Sequence, residues 1–156
     1  MLDDSHLGQV DRNRWTGRGI RAYYFARDLG VVSAEHARHL AIELPPGRSE
    51  RIVRDVFEVS VTLSRVLDLT DPAVVRAMGA GPIERWILDL RATQAAGTYL
   101  LSQVADLQGL VVPSVAFLDD HRRGNLVVFR DAIDPAEAFG VPQARARITL
   151  EGHGAA

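Results

Sequence analysis

The 156-residue sequence contains no cysteine and no lysine. Without cysteine there is no disulfide framework, no thiolate metal site and no thiol nucleophile. Without lysine, all 18 basic side chains are arginines, which a coding bias explains as a fact of composition. Any arginine that does face a cleft still presents a planar fork suited to phosphate or carboxylate. Aromatic residues are scarce at 6%, so the core must be built mainly from Val, Leu, Ile and Ala. No apolar run approaches the roughly 18 residues of a membrane span, and no charged-then-apolar leader opens the chain. A soluble, cytoplasmic protein without a membrane partner is expected. A basic surplus is missing as well. The net charge of -2 and a pI near 6.2 do not supply the basic surface that displaces counterions from DNA, so direct nucleic-acid binding is not expected.

What is present suits one domain: 47% of the residues are hydrophobic, enough to bury a core at this length. Residues 1–13 are polar and aperiodic and read as an N-terminal arm. The glycine-bearing turn at Gly17 and Gly19 leads into an apolar run, Ala22 to Ala26, that predicts a buried strand. A helix follows, with Asp28 as N-cap, Val31, Ala34, Arg38 and Ala41 on one line, and Pro45 and Pro46 beyond its end. The segment ELPPGRSER reads as a loop. Val53 to Thr62 then alternates as a strand, with Phe57, Val59 and Val61 on one face, and Arg65 to Leu69 continues extended. Asp71-Pro72 opens a short helix closed by Gly79, and a second short helix after Gly81-Pro82 carries Trp86. The longest helical pattern runs from Ala92 to Leu107, with Gly109 as its stop. Leu110 to Val112, ended by Pro113-Ser114, and Asn125 to Phe129 read as two strands joined by the charged turn DDHRRGN. Asp134-Pro135 begins a further helical piece, Ala144 to Leu150 alternates as an edge strand, and residues 151–156 read as a disordered tail. Strands and helices mix without regular alternation. The fold class expected is therefore α+β, a single compact domain with a mixed sheet and flanking helices.

Common catalytic motifs are absent. His36 and His39 lie three apart with Glu35 adjacent, but no H-E-x-x-H spacing or acidic cluster completes a metal site, so no metal is expected. Ser114 sits in V-P-S-V-A and not in G-x-S-x-G. Gly17 and Gly19 lack the third glycine of a dinucleotide fingerprint and precede a strand. What remains is Arg, Tyr, Glu and Ser spread over strand ends and one helix, with Arg14, Tyr24 and Glu35 placed to meet near one cleft. Plainer readings stand beside this one: Glu35 as a surface carboxylate paired with Arg38 or His39, Tyr23 and Tyr24 as core and edge aromatics, Arg14 as a solvated cation, and Ser114 as a strand end bonded to nearby backbone.

Arg14-Trp15-Thr16-x-x-Gly19, then Tyr24, then Ala34-Glu35, then Gly109 to Ser114 and Asn125 to Phe129, taken in this order from Arg14 to Phe129, resemble the RES domain. The resemblance assigns residues 14–150 to that domain and implies an ADP-ribosyltransferase-like fold acting on NAD as substrate. It also implies the toxin of a bacterial type II toxin-antitoxin pair, with an Xre-like helix-turn-helix antitoxin as partner. Carried over by position, Glu35 and Ser114 become catalytic, and Arg14, Tyr24, Arg18 and Thr16 bind NAD. Thr16 stands where the family usually has Asn. The family also tends to carry a further arginine well upstream. Arg12 is too close to fill that place, so either Arg18 or Arg21 supplies the phosphate clamp or the start lies upstream.

The chemistry implied suits one carboxylate. Nicotinamide leaves NAD as a neutral ring, so the departing group needs no proton, unlike ordinary glycoside hydrolysis. Glu35 would stabilise the oxocarbenium ion and hold a ribose hydroxyl. Arg14 would pair with the pyrophosphate, Tyr24 would stack on nicotinamide or ribose, and Ser114 would bond the amide or position the glutamate. Transfer of ADP-ribose to a cellular protein is the leading expectation and destruction of NAD by water or phosphate the second. An inactive module that only binds the antitoxin is the reading from a different class.

Overall fold

A computed structural model describes residue 7 and residues 13–153. Most of the expected N-terminal arm, including Arg12, and the last three residues of the expected tail lie outside the described residues. Six strands and four α-helices follow one another in mixed order, as the α+β reading requires. Strands β1 (Ala22–Ala26), β3 (Val66–Asp68), β4 (Gly109–Pro113) and β5 (Gly124–Phe129) form one sheet in the order β1-β5-β4-β3. Its β1–β5 and β5–β4 pairs are antiparallel and β4–β3 is parallel, so the sheet is mixed. Strands β2 (Ser49–Glu58) and β6 (Gln143–His153) form a separate antiparallel ribbon.

Helix α1 (Leu29–Glu43) starts where expected, because the Asp28 carboxylate accepts the Val31 N–H at 2.9 Å and satisfies one of the free amides of the first turn. Asp71 and Asp134, each followed by proline, cap α2 (Pro72–Ala77) and α4 (Pro135–Ala138) in the same way. Gly79 adopts φ +73°, which ends α2 as a glycine can. Only a 3-10 turn, Ile83–Arg85, follows Pro82, with Trp86 just past its end. The main core gathers Leu110 and Val112 of β4, Val127 and Phe129 of β5, Leu69, Ile87 and Leu100 around Trp15. Trp15 is only 2% exposed and meets Trp86 edge to face, with centroids 5.8 Å apart. On the other face of β1, Tyr23, Phe25 and Phe139 form a separate aromatic cluster.

Several expected boundaries move, each for a tertiary reason. Strand β2 begins at Ser49, not Val53, because Ser49 pairs with His153 and Glu50 with Gly152; the same pairing makes Glu151–His153 strand and not tail. It ends at Glu58, and Val61 makes only an isolated bridge to Phe139. Helix α3 spans Leu90–Gln103, two residues before Ala92 because Asp89 caps it, and it stops before Leu107. The reversal after it uses Asp106 at φ +55°. Gly109 opens β4 and stops no helix. A Cβ there would lie 2.7 Å from the Val127 carbonyl oxygen, so glycine is needed for the close approach of β5. In α1 the buried positions are Val31 and Leu40, while Ala41 is exposed. The helix is gripped from two sides, and Leu40 and Leu44 press on Gly152 of the ribbon, where a Cβ would meet them at 2.4 and 2.9 Å. The ribbon thus braces α1 from behind, with β1 and β5 in front.

Candidate active site

A cleft of about 400 Å³ opens between α1, the β1–β5–β4 sheet and the 13–15 segment, lined by Arg14, Tyr24, Glu35, Arg38 and Asn125 among others. Strand β4 runs through the middle of the sheet and ends at Pro113, which places the wholly buried Ser114 just behind the cleft wall. The Ser114 hydroxyl donates to Glu35 Oε1 at 2.6 Å and accepts the Ala116 N–H at 3.1 Å. The hairpin brings Asn125 opposite Val112, and its side-chain amide donates to the same Glu35 oxygen at 3.3 Å. Among the described residues Glu35 Oε2 has no hydrogen-bond or ion-pair partner.

Arg14 reaches the cleft from a segment clamped to α3. Its Nη1 donates to the Ile87 carbonyl at 2.5 Å, and Gln94 Nε2 donates to the Asn13 carbonyl at 2.9 Å. Gly97 lets the helix touch this segment: a Cβ there would sit 2.0 Å from the Trp15 carbonyl oxygen. Tyr24 shows 39% of its surface, yet its hydroxyl is tied down, accepting the Trp15 N–H at 3.3 Å and sharing a 2.9 Å hydrogen bond with Thr16 Oγ1. Burial pushes the phenol above its ordinary value, against the lowering effect of those bonds. Burial, reinforced by neighbouring Arg38, holds the Arg14 guanidinium below its usual range, while Glu35 and Tyr24 oppose the shift. Two guanidiniums thus face one hollow. Among the described residues Arg38 has no ion-pair or hydrogen-bond partner, and such an arrangement attracts an anion.

Of the residues singled out from sequence, Arg14, Tyr24 and Glu35 line the cleft together, with Ser114 and Thr16 buried behind it. Arg18 does not line it. The Gly17–Ile20 turn, with Gly19 at φ +86°, leaves Arg18 exposed at its tip. Arg21 pairs with Asp131 instead. The second cleft cation is Arg38, which the plainer of the two sequence readings offers, with His39, as a partner for Glu35. Its spacing of three from Glu35 is the signal that places both on one helix face. Asn125 is also missed as a site residue, although hairpin pairing of the strands ending at Ser114 and beginning at Asn125 sets them side by side. His36 and His39 line the same wall.

Residues 5–151 match the RES domain. Among solved structures, the chain resembles one in the crystal structure of the M. tuberculosis MbcT-MbcA toxin-antitoxin complex, with 22% identity and a TM-score of 0.60 over 95% of this chain and 78% of that one. No curated protein matches the sequence. With the family match spanning nearly the whole chain, and with the arginine, tyrosine, glutamate and serine of the pattern gathered at one cleft, this chain belongs to the RES domain family.

Proposed function

We propose that the chain breaks the bond between nicotinamide and ribose in NAD, acting in the cytoplasm as the toxin of a toxin-antitoxin pair. The observation that carries this reading is Glu35, held at the cleft through one oxygen by Ser114 and Asn125 and faced by Arg14 and Arg38. In NAD the C1′–N1 electron pair leaves with the cationic ring, which becomes neutral nicotinamide, so no acid is required. The positive charge that develops on the ribose lies near a fixed carboxylate. The free oxygen of Glu35 holds a ribose hydroxyl, the two guanidiniums take the pyrophosphate through their forks, and the exposed face of Tyr24 offers a stacking surface. An acceptor then bonds to C1′ and gives up its proton: a protein side chain, giving ADP-ribosylation, or water or phosphate, giving free NAD breakdown products.

Purified protein with NAD tests the reading. Nicotinamide released by wild type and not by Glu35→Ala supports it, and labelled ADP-ribose found on protein would mark the protein-acceptor route, whereas label found in solution would mark breakdown by water or phosphate. No release from wild type, even with cell extract supplying acceptors, leaves the inactive, antitoxin-binding module. The likeness to a chain of a toxin-antitoxin complex supports an antitoxin partner, and a site that drains a central cofactor would need that partner to cover the cleft. A complex with the cleft open to solvent would count against that covering role.

A further inference from the structure

Arg123 lies in the turn between β4 and β5, outside the cleft lining, yet it contacts both sides of the Ser114–Glu35 bond. Its carbonyl accepts the Ser114 N–H at 3.1 Å, closing the turn that holds the serine. Its guanidinium reaches across to α1, where Nη2 donates to Asp28 Oδ1 at 3.2 Å, the same oxygen that caps the helix by accepting the Val31 N–H. The guanidinium carbon also sits 3.7 Å from the centroid of the Phe117 ring, a cation–π contact that fixes its plane. Gly30 completes the latch: a Cβ there would lie 2.1 Å from Arg123 Nη2, so a side chain at this position would push the guanidinium off Asp28. The N-cap it grips stands about two turns before Glu35 on a single rigid helix.

We propose that Arg123 is a positioning residue that fixes α1 against the β4–β5 turn and so sets the 2.6 Å contact between Ser114 and Glu35. The inference rests on the function proposed above for its kinetic consequence, and on geometry alone for its structural one. A 1 Å misplacement of a catalytic group costs up to about a hundredfold in rate. Arg38 rides on α1 together with Glu35, so loosening the latch slows the chemical step through the displaced carboxylate and weakens NAD binding through the displaced guanidinium.

The test compares wild type, Arg123→Ala, Arg123→Lys and Gly30→Ala for nicotinamide release and for amide hydrogen exchange. Arg123→Ala and Gly30→Ala are expected to lower kcat about tenfold or more, with KM for NAD rising alongside because Arg38 moves with the helix. Arg123→Lys, which keeps the charge near Asp28 but not the planar stack, is expected to recover part of the loss. The Ala116 amide, which donates to Ser114 Oγ, should exchange at least about tenfold faster in Arg123→Ala while the Val127 amide of β5 keeps its rate. Unchanged kcat in both alanine variants, a raised KM at constant kcat, or an Ala116 amide as protected as in wild type would each overturn the proposal. Wild type that releases no nicotinamide would overturn the function reading instead, and the exchange measurement would still decide this one. Gly30→Ala keeps the question open to refutation should Arg123→Ala fail to fold.

Discussion

Replacing Gly97 with alanine sets two effects of known size against each other. Alanine in a helix interior is favoured over glycine by about 1 kcal/mol, so α3 taken alone should gain. The added methyl would, however, lie 2.0 Å from the Trp15 carbonyl oxygen and 3.1 Å from its carbonyl carbon. Both are backbone atoms that cannot rotate aside, and such overpacking costs about 1–3 kcal/mol. Relief requires the Asn13–Trp15 segment to move away from α3. That motion strains the Arg14–Ile87, Gln94–Asn13 and Trp15–Tyr24 hydrogen bonds, each worth about 1 kcal/mol. The net expectation is a loss of about 1–2 kcal/mol, or a melting temperature lower by about 2–8 °C for a chain of this size. Arg14 moves with the segment, so KM for NAD should rise about tenfold, the effect of one weakened charged contact of roughly 1.5 kcal/mol. Thermal melts together with nicotinamide release at varied NAD measure both. Gly81→Ala serves as control, since nothing lies within 4 Å of where a Cβ there would stand. A Gly97→Ala protein that melts at or above wild type with an unchanged KM would refute the close-contact argument and with it the role given to α3 in holding Arg14.

Ser114→Ala leaves Glu35 with Asn125 as its remaining hydrogen-bond donor; losing a bond to a charged group, worth about 1.5–3 kcal/mol, should lower kcat about tenfold or more, read as the initial rate at saturating NAD. Arg38→Gln removes the cation beside Arg14 that makes no ion pair among the described residues, so KM for NAD should rise while the melting temperature holds or increases; a fall in stability with KM unchanged would show Arg38 to be structural. Tyr24→Phe tests the buried phenol, whose folded value is raised by burial. The unfolded chain ionises first, near pH 10, so the stability this group contributes is complete below about pH 10 and is lost as pH climbs through the raised folded value. The melting temperature of wild type should therefore fall more between about pH 9 and about pH 11 than that of Tyr24→Phe, and parallel curves would contradict the burial assigned to the hydroxyl.

The elements readable from the chain are those whose cause is local. Aspartate followed by proline fixes the starts of α2 and α4, and short apolar runs bounded by turn residues fix β1, β4 and β5. What escapes a linear reading is set by a distant partner. The start of β2 depends on Glu151–His153 about a hundred residues away, and Gly97, Gly109 and Gly152 are glycines because backbone or side chains from other elements occupy the space of their Cβ atoms. The same distinction separates the two readings of Glu35. Glutamate and arginine three apart on a helix read as an ion pair, and nothing local contradicts that. The contradiction comes from β4 and β5, which bring Ser114 and Asn125 onto Glu35 Oε1. Both are neutral donors. They fix the carboxylate without cancelling its charge, whereas a salt bridge to Arg38 would pair off the carboxylate proposed to meet the developing cation and engage the fork proposed for the pyrophosphate. Holding glutamate by a hydroxyl and an amide leaves one negative and two positive side chains in a single cleft without an ion pair among the described residues. That is the charge pattern that a dinucleotide with a cationic ribose centre and an anionic bridge requires.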